Sequence, residues 1–137
     1  MIKETGARAV DARAAGAKAA GARAAGVDSV TDAGFDDEVL RSTLPVLVEF
    51  TADWCPPCRQ LAPVLSAVAE EEAARVKVVQ LDVDTNPLTT TRYGVLAMPT
   101  LILFRAGEPV KSMVGARPKR RLLQELDEGL ADGPDRA

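Results

Sequence analysis

Histidine is absent from this chain, and cysteine occurs only twice, as Cys55 and Cys58. Without histidine, Ser-His-Asp and Cys-His catalysis have no base. Two thiols fall short of the roughly four Cys or His ligands of a structural zinc site. A disulfide scaffold would scatter more cysteines along the chain. A basic excess is also missing, since 17 Lys and Arg stand against 20 Asp and Glu; that is not the electrostatic footprint of a nucleic-acid binder. No apolar run approaches the roughly 18 residues of a membrane span, and the charge-free stretch from Tyr93 to Phe104 contains Gly94 and Pro99. An apolar secretory h-region and a glycine-rich phosphate loop are likewise lacking. The expectation is a cytoplasmic protein with no nucleic-acid, membrane or metal partner and no bound cofactor. Its 137 residues are enough for one domain with its own core.

Two stretches part in texture near residue 26. In residues 1–26, Gly6, Gly16, Gly21 and Gly26 fall on a five-residue period, with Asp11 filling the gap, and Arg8, Arg13, Lys18 and Arg23 repeat in step. A five-residue step advances about 140° round a helix, so these cations would spiral instead of lining one face. Each glycine opposes helix by about 1 kcal/mol and nothing apolar anchors the segment. Residues 1–26 are therefore read as an Ala/Gly/Arg-rich disordered tail and residues 27–137 as the globular domain. The competing readings are a transit peptide, which the absence of serine there opposes, and translated sequence ahead of the true start.

From Val27 the patterns become those of packed elements. Val27 to Val30 reads as a short strand, and Thr31 or Asp32 as the cap of a helix carrying Phe35, Val39 and Leu40. Val46 to Thr51, just after Pro45, reads as a strand buried on both faces. Leu61, Val64, Leu65, Val68 and Ala69 have helical spacing, with Pro63 expected to kink that helix. Val76 to Val83 is a second buried strand, and Leu88 to Tyr93 a short helix stopped by Gly94. Thr100 to Phe104 and Val110 to Val114 flank a hairpin at Ala106-Gly107-Glu108. Leu122, Leu123, Leu126 and Leu130 mark a last helix, with a stop at Gly133-Pro134. Alternating strands and helices followed by a hairpin predict an α/β domain with a mixed sheet. Arg117, Lys119, Arg120 and Arg121 read as the solvated start of the last helix. Asp82, Asp84 and Asn86 open like a calcium loop, but Pro87 and Tyr93 stand where that loop needs glycine and glutamate.

The chemistry concentrates at the cysteines. Cys55 falls where a strand ends and an amphipathic helix begins, so its thiol meets unpaired amides and the positive end of the helix dipole, which favour thiolate. Three residues on, Cys58 lies on the same face, within disulfide reach. Pro56 and Pro57 fall in the first helical turn, where missing N–H groups cost nothing, and they stiffen the loop. The expected cycle has Cys55 thiolate attack a disulfide and Cys58 resolve the mixed disulfide.

With these residues in view, the chain resembles the thioredoxin family from about Val27 to Ala131. The likeness is carried by Leu47-Val48-Glu49-Phe50, Ala52-Asp53-Trp54-Cys55-Pro56-Pro57-Cys58-Arg59, Leu61-Ala62-Pro63, Leu81-Asp82-Val83-Asp84, Tyr93-Gly94-Val95, Met98-Pro99-Thr100-Leu101 and Val114-Gly115. The resemblance implies a mixed central sheet with helices on both faces, with Cys55 as nucleophile and Cys58 as resolving thiol. It implies that Pro99 is cis and packs opposite the dithiol, and that Trp54, Pro56, Pro57, Met98, Pro99 and Gly115 meet the substrate. It places Glu49 where the family has a buried aspartate that handles the resolving cysteine's proton. It further implies a monomeric protein-disulfide reductase, recharged by a thioredoxin reductase using NADPH and acting on disulfide-containing proteins. An oxidant or isomerase of the same fold and a non-catalytic adaptor are the alternatives. Pro56 in place of glycine, Thr51 in place of tryptophan and Gln80 in place of lysine depart from the family's usual pattern; they bear on redox potential and reductase recognition.

Overall fold

The structure, a computed structural model, describes residues 21–131. The pentad repeat before residue 21 and the Gly133-Pro134 stop lie outside the described residues.

The order of elements is β1 (Asp28–Ser29), α1 (Asp36–Leu40), β2 (Val46–Thr51), α2 (Pro56–Glu71), β3 (Lys77–Asp82), α3 (Pro87–Arg92), β4 (Thr100–Arg105), β5 (Glu108–Val114) and α4 (Lys119–Ala131). The five strands form one mixed sheet in the order β1-β3-β2-β4-β5. β2 is central and buried along its whole length. It pairs in parallel with β3, Glu49 opposite Gln80, and antiparallel with β4, Glu49 opposite Leu101.

Strand alternation sends successive side chains of β2 to opposite faces. Val46, Val48 and Phe50 meet Phe35 and Val39 around α1, together with Val79, Leu81 and Phe104. On that side Tyr93 and Phe35 pack edge-on or tilted against Phe104, with ring centroids 5.1 and 5.5 Å away. Leu47 faces the other way, with Leu101 and Leu103, into a core closed by Leu61, Leu65 and Val68 of α2 and Leu122 and Leu126 of α4. Helices therefore cover both faces, and the α/β fold with a mixed sheet is as expected.

Local chemistry shapes the connections. Ala106 (φ 53°) and Gly107 (φ 79°) form the two-residue β4–β5 turn, both in the left-handed region that such turns require. β5 is an edge strand and tolerates Pro109, beside which the register shifts. α2 runs on through Pro63, which has no N–H for the carbonyl of Arg59. The helix expected after Thr31 is reduced to five residues, closed by a wide bond from Arg41 N–H to Asp36 O at 3.0 Å. Asp32 caps a different helix: its carboxylate accepts from Leu88 N–H at 3.1 Å and Thr89 N–H at 2.9 Å, at the start of α3. In return Asn86 Oδ1 accepts from Asp32 N–H at 2.8 Å.

Packed chain begins before Val27. Ala22 and Ala24 are 1% and 2% exposed, and Ala24 belongs to the core under α2 and α4. Among the described residues, no helix is long and apolar enough to cross a membrane.

Candidate active site

Cys55 is the N-cap of α2, in extended backbone (φ −97°, ψ 107°), and Pro56 and Pro57 fill the first helical positions. Its sulfur accepts the Cys58 N–H at 3.2 Å. A helix start leaves its first amides without partners, so this sulfur takes the place of a side-chain cap and lies in the field of the amide that stabilises thiolate most directly. Cys55 and Cys58 form a disulfide across a Cα–Cα distance of 5.3 Å. Cys55 retains 3% exposure and Cys58 none.

The rim around Cys55 comes from three loops. Trp54 is 60% exposed despite its size and is oriented by its indole N–H, which donates to Asp84 Oδ2 at 2.8 Å. Pro56 and Pro57 are exposed beside it. The Met98-Pro99 peptide bond is cis, and Met98 O lies 3.5 Å from Cys55 Sγ. Gly115, with φ 102°, donates its N–H to Pro99 O at 2.8 Å. The fold thus sets Met98 against the Cys55 sulfur and ties Gly115 to the neighbouring Pro99, while Trp54, Pro56 and Pro57 flank Cys55 in the chain. Leu96 and Val114 are exposed at 94% and 60%.

On the face of β2 that carries Leu47, Glu49 is fully buried. Its Oε1 accepts from Gln80 Nε2 at 2.8 Å, and among the described residues Oε2 has no hydrogen-bond partner. Burial pushes the carboxyl up to about 7, and the Gln80 bond opposes that rise only in part. The carboxyl therefore exchanges a proton near neutral pH. Thr51, two residues along the same face, also buries its hydroxyl without a partner.

The comparisons with known proteins agree with this geometry. The sequence model of the thioredoxin family matches residues 26–128.

The chain belongs to the thioredoxin family.

It is 54% identical to a thioredoxin of Mycobacterium tuberculosis over 99 residues, 72% of this chain and 85% of that one. A thioredoxin 1 of Synechococcus elongatus is 47% identical over 102 residues, 74% and 95% of the two chains. A bifunctional thioredoxin reductase/thioredoxin of Mycobacterium leprae is 50% identical over 99 residues, 72% of this chain and 22% of its own length. Like other thioredoxins, the protein is a dithiol–disulfide oxidoreductase, with Cys55 and Cys58 as its redox-active pair.

Sequence reasoning missed two supports of this thioredoxin site. Asp84, which orients Trp54, stood out only in the Leu81-Asp82-Val83-Asp84 segment and as a position of a failed calcium-like loop. Arg117, expected to be solvated, is 6% exposed. It makes a bidentate ion pair with Glu125, both contacts 2.7 Å, and donates to Val114 O at 2.6 Å and Gly115 O at 3.0 Å. It pins the loop that carries Gly115 to Glu125 in the middle of α4. Its position ahead of Pro118, outside the helix, was the one available hint.

Proposed function

We propose that the chain is a protein-disulfide reductase in which Cys55 attacks, Cys58 resolves and Glu49 takes the resolving proton. The observation that carries this is the cap: Cys55 has the Cys58 amide on its sulfur and keeps the pair's residual exposure. In the reduced protein, Cys55 thiolate attacks one sulfur of a substrate disulfide, forming a mixed disulfide and expelling the first substrate thiolate. Cys58 then passes its proton to the unpartnered Oε2 of Glu49, and its thiolate attacks Cys55 Sγ. The Cys55–substrate bond breaks, the second substrate thiolate leaves, and Cys55–Cys58 closes. Two electrons have moved from the protein to the substrate.

The apolar rim of Trp54, Pro56, Pro57 and Met98 suits an extended polypeptide, with the backbone of Met98, whose carbonyl lies 3.5 Å from Cys55 Sγ, beside it. Thioredoxins carry no cofactor of their own. A thioredoxin reductase drawing on NADPH is the proposed source of electrons, supported by the relative that is a bifunctional thioredoxin reductase/thioredoxin. We place the protein in the cytoplasm, as a monomer.

Insulin reduction followed by turbidity, with NADPH and a thioredoxin reductase from the same cell, tests the whole cycle. Cys55→Ser should abolish it, and Cys58→Ser should leave a mixed disulfide detectable by intact mass. Glu49→Gln should slow release of the mixed disulfide more than its formation in stopped-flow. Equal slowing of both steps would remove Glu49 from the mechanism.

A further inference from the structure

Gln80 is 2% exposed and its carboxamide is fully engaged. One end, Nε2, donates to Glu49 Oε1 and to Ala22 O, both at 2.8 Å. The other end, Oε1, accepts from Ala24 N–H at 2.9 Å. An amide has a donor end and an acceptor end, so a backbone N–H on Oε1 and a carbonyl on Nε2 fix which end faces Glu49. The residues that fix it are not on the sheet; they belong to the stretch before β1. Ala22 also packs with Ala52, Cys55 and Cys58. One short run of backbone therefore closes over the resolving cysteine and orients the single hydrogen-bond partner of the buried carboxyl.

We propose that residues 21–26 form a strap that positions Glu49, sealing its pocket from water and orienting Gln80 toward it. The proposal rests on the reading of Glu49 as proton acceptor and extends it to a segment outside the sheet and helices. Its physical basis is the dependence of a buried carboxyl on its surroundings. A dry pocket disfavours the ionised form, whereas water admitted beside Ala22 would solvate it and make Glu49 a weaker base. The groups around Glu49 leave few other levers. From β3 come Gln80 and, two residues further along that face, Asp82, whose Oδ1 accepts from Asp84 N–H at 2.8 Å. From β4 comes Leu101, its registered neighbour. From α2 the nearest titratable group is Cys58, packed on Ala22. Arg23 in the strap turns outward and donates to Ser29 Oγ at 2.8 Å.

The test uses the full chain with Ala22→Gln, which forces a longer polar side chain into a sealed position, and separately Ala24→Pro, which removes the N–H on Gln80 Oε1. Neither replaces a residue of the dithiol, Glu49 or Gln80, and because Ala22 packs on Cys55 and Cys58, Ala24→Pro is the variant that leaves that packing in place. Release of the mixed disulfide is followed from pH 5 to 9 with an aromatic disulfide whose thiolate absorbs visible light, beside wild type and Glu49→Gln. The expected result is a wild-type inflection near neutral pH and its loss in Glu49→Gln. Ala22→Gln, which admits water, should displace it toward acid by at least about 1 pH unit, and Ala24→Pro, which loosens the Gln80 bond that favours the ionised carboxyl, should displace it toward alkali. An inflection lost in Glu49→Gln but unmoved in both strap variants would overturn the strap while leaving the proton acceptor in place. An inflection that survives Glu49→Gln would overturn the acceptor, and the strap with it.

Discussion

Glu49 gives the sharpest quantitative test, because its burial ties stability to pH with a definite sign. The carboxyl ordinarily titrates near 4.5 and is raised to about 7 by desolvation in the folded protein. Between those values the folded state holds a proton that the unfolded chain has released, so folding stability falls as pH rises through that window. Below it both states are protonated and the full stability is present; above it both are ionised and the loss is complete. At about 1.4 kcal/mol per pH unit, the difference of about 2.5 units amounts to about 3 kcal/mol between pH 4 and pH 8. Glu49→Gln removes the titration while keeping the shape. It brings its own cost, because its buried NH2 must find an acceptor, about 1–3 kcal/mol, but that cost does not vary with pH. Urea unfolding of the oxidised proteins, with Cys55 and Cys58 locked and unable to titrate, isolates the effect. The stability of wild type minus that of the variant should decline by about 3 kcal/mol from pH 4 to pH 8. Parallel stability curves across that range would refute the idea that burial governs this carboxyl.

Three further outcomes follow from particular contacts. Asp32→Ala should lower the urea midpoint, because Leu88 and Thr89 N–H lose their cap. Arg117→Met should cost about 3–5 kcal/mol in thermal or urea unfolding, since it leaves the partly buried Glu125 carboxylate without its bidentate partner; it should also weaken substrate binding by freeing the Gly115 loop. Gly107→Val should lower stability by about 1–2 kcal/mol, because its φ is left-handed and a Cβ there would lie 3.1 Å from Leu40 O.

The contrast between Cys55 and Asp32 shows why one site was legible in the sequence and another was not. Cys55 announces itself through neighbours: a β-branched strand before it, two prolines after it and a helical period beyond, all within about one turn or strand length. Asp32 carried an equally clear local signal as a helix cap, yet its carboxylate serves α3, whose start lies 56 residues further on in sequence. The short α1 explains the difference. With Gly34 in its lead-in and only five residues of helix, it leaves Asp32 free to turn toward α3. Glu49 was legible as buried, since Val46-Leu47-Val48 and Phe50 leave no solvent face. Its single hydrogen-bond partner was not, because that partner is fixed by backbone from residues 22–24, in a stretch whose composition argued for no packing at all.

By itself, then, the chain's residue order determined the strands, the turn at Ala106-Gly107, and the pairing of two thiols at a helix mouth, because each depends on backbone preferences and side-chain period over a few residues. Tertiary packing alone decided that Met98 O lies against Cys55, that Arg117 is buried on Glu125, and that Ala22 closes over Cys58. The first and last join segments more than thirty residues apart, and the second folds a loop back onto the helix that follows it. They exist only once the sheet has brought its strand ends to one edge, where burial sets how each charge and thiol behaves.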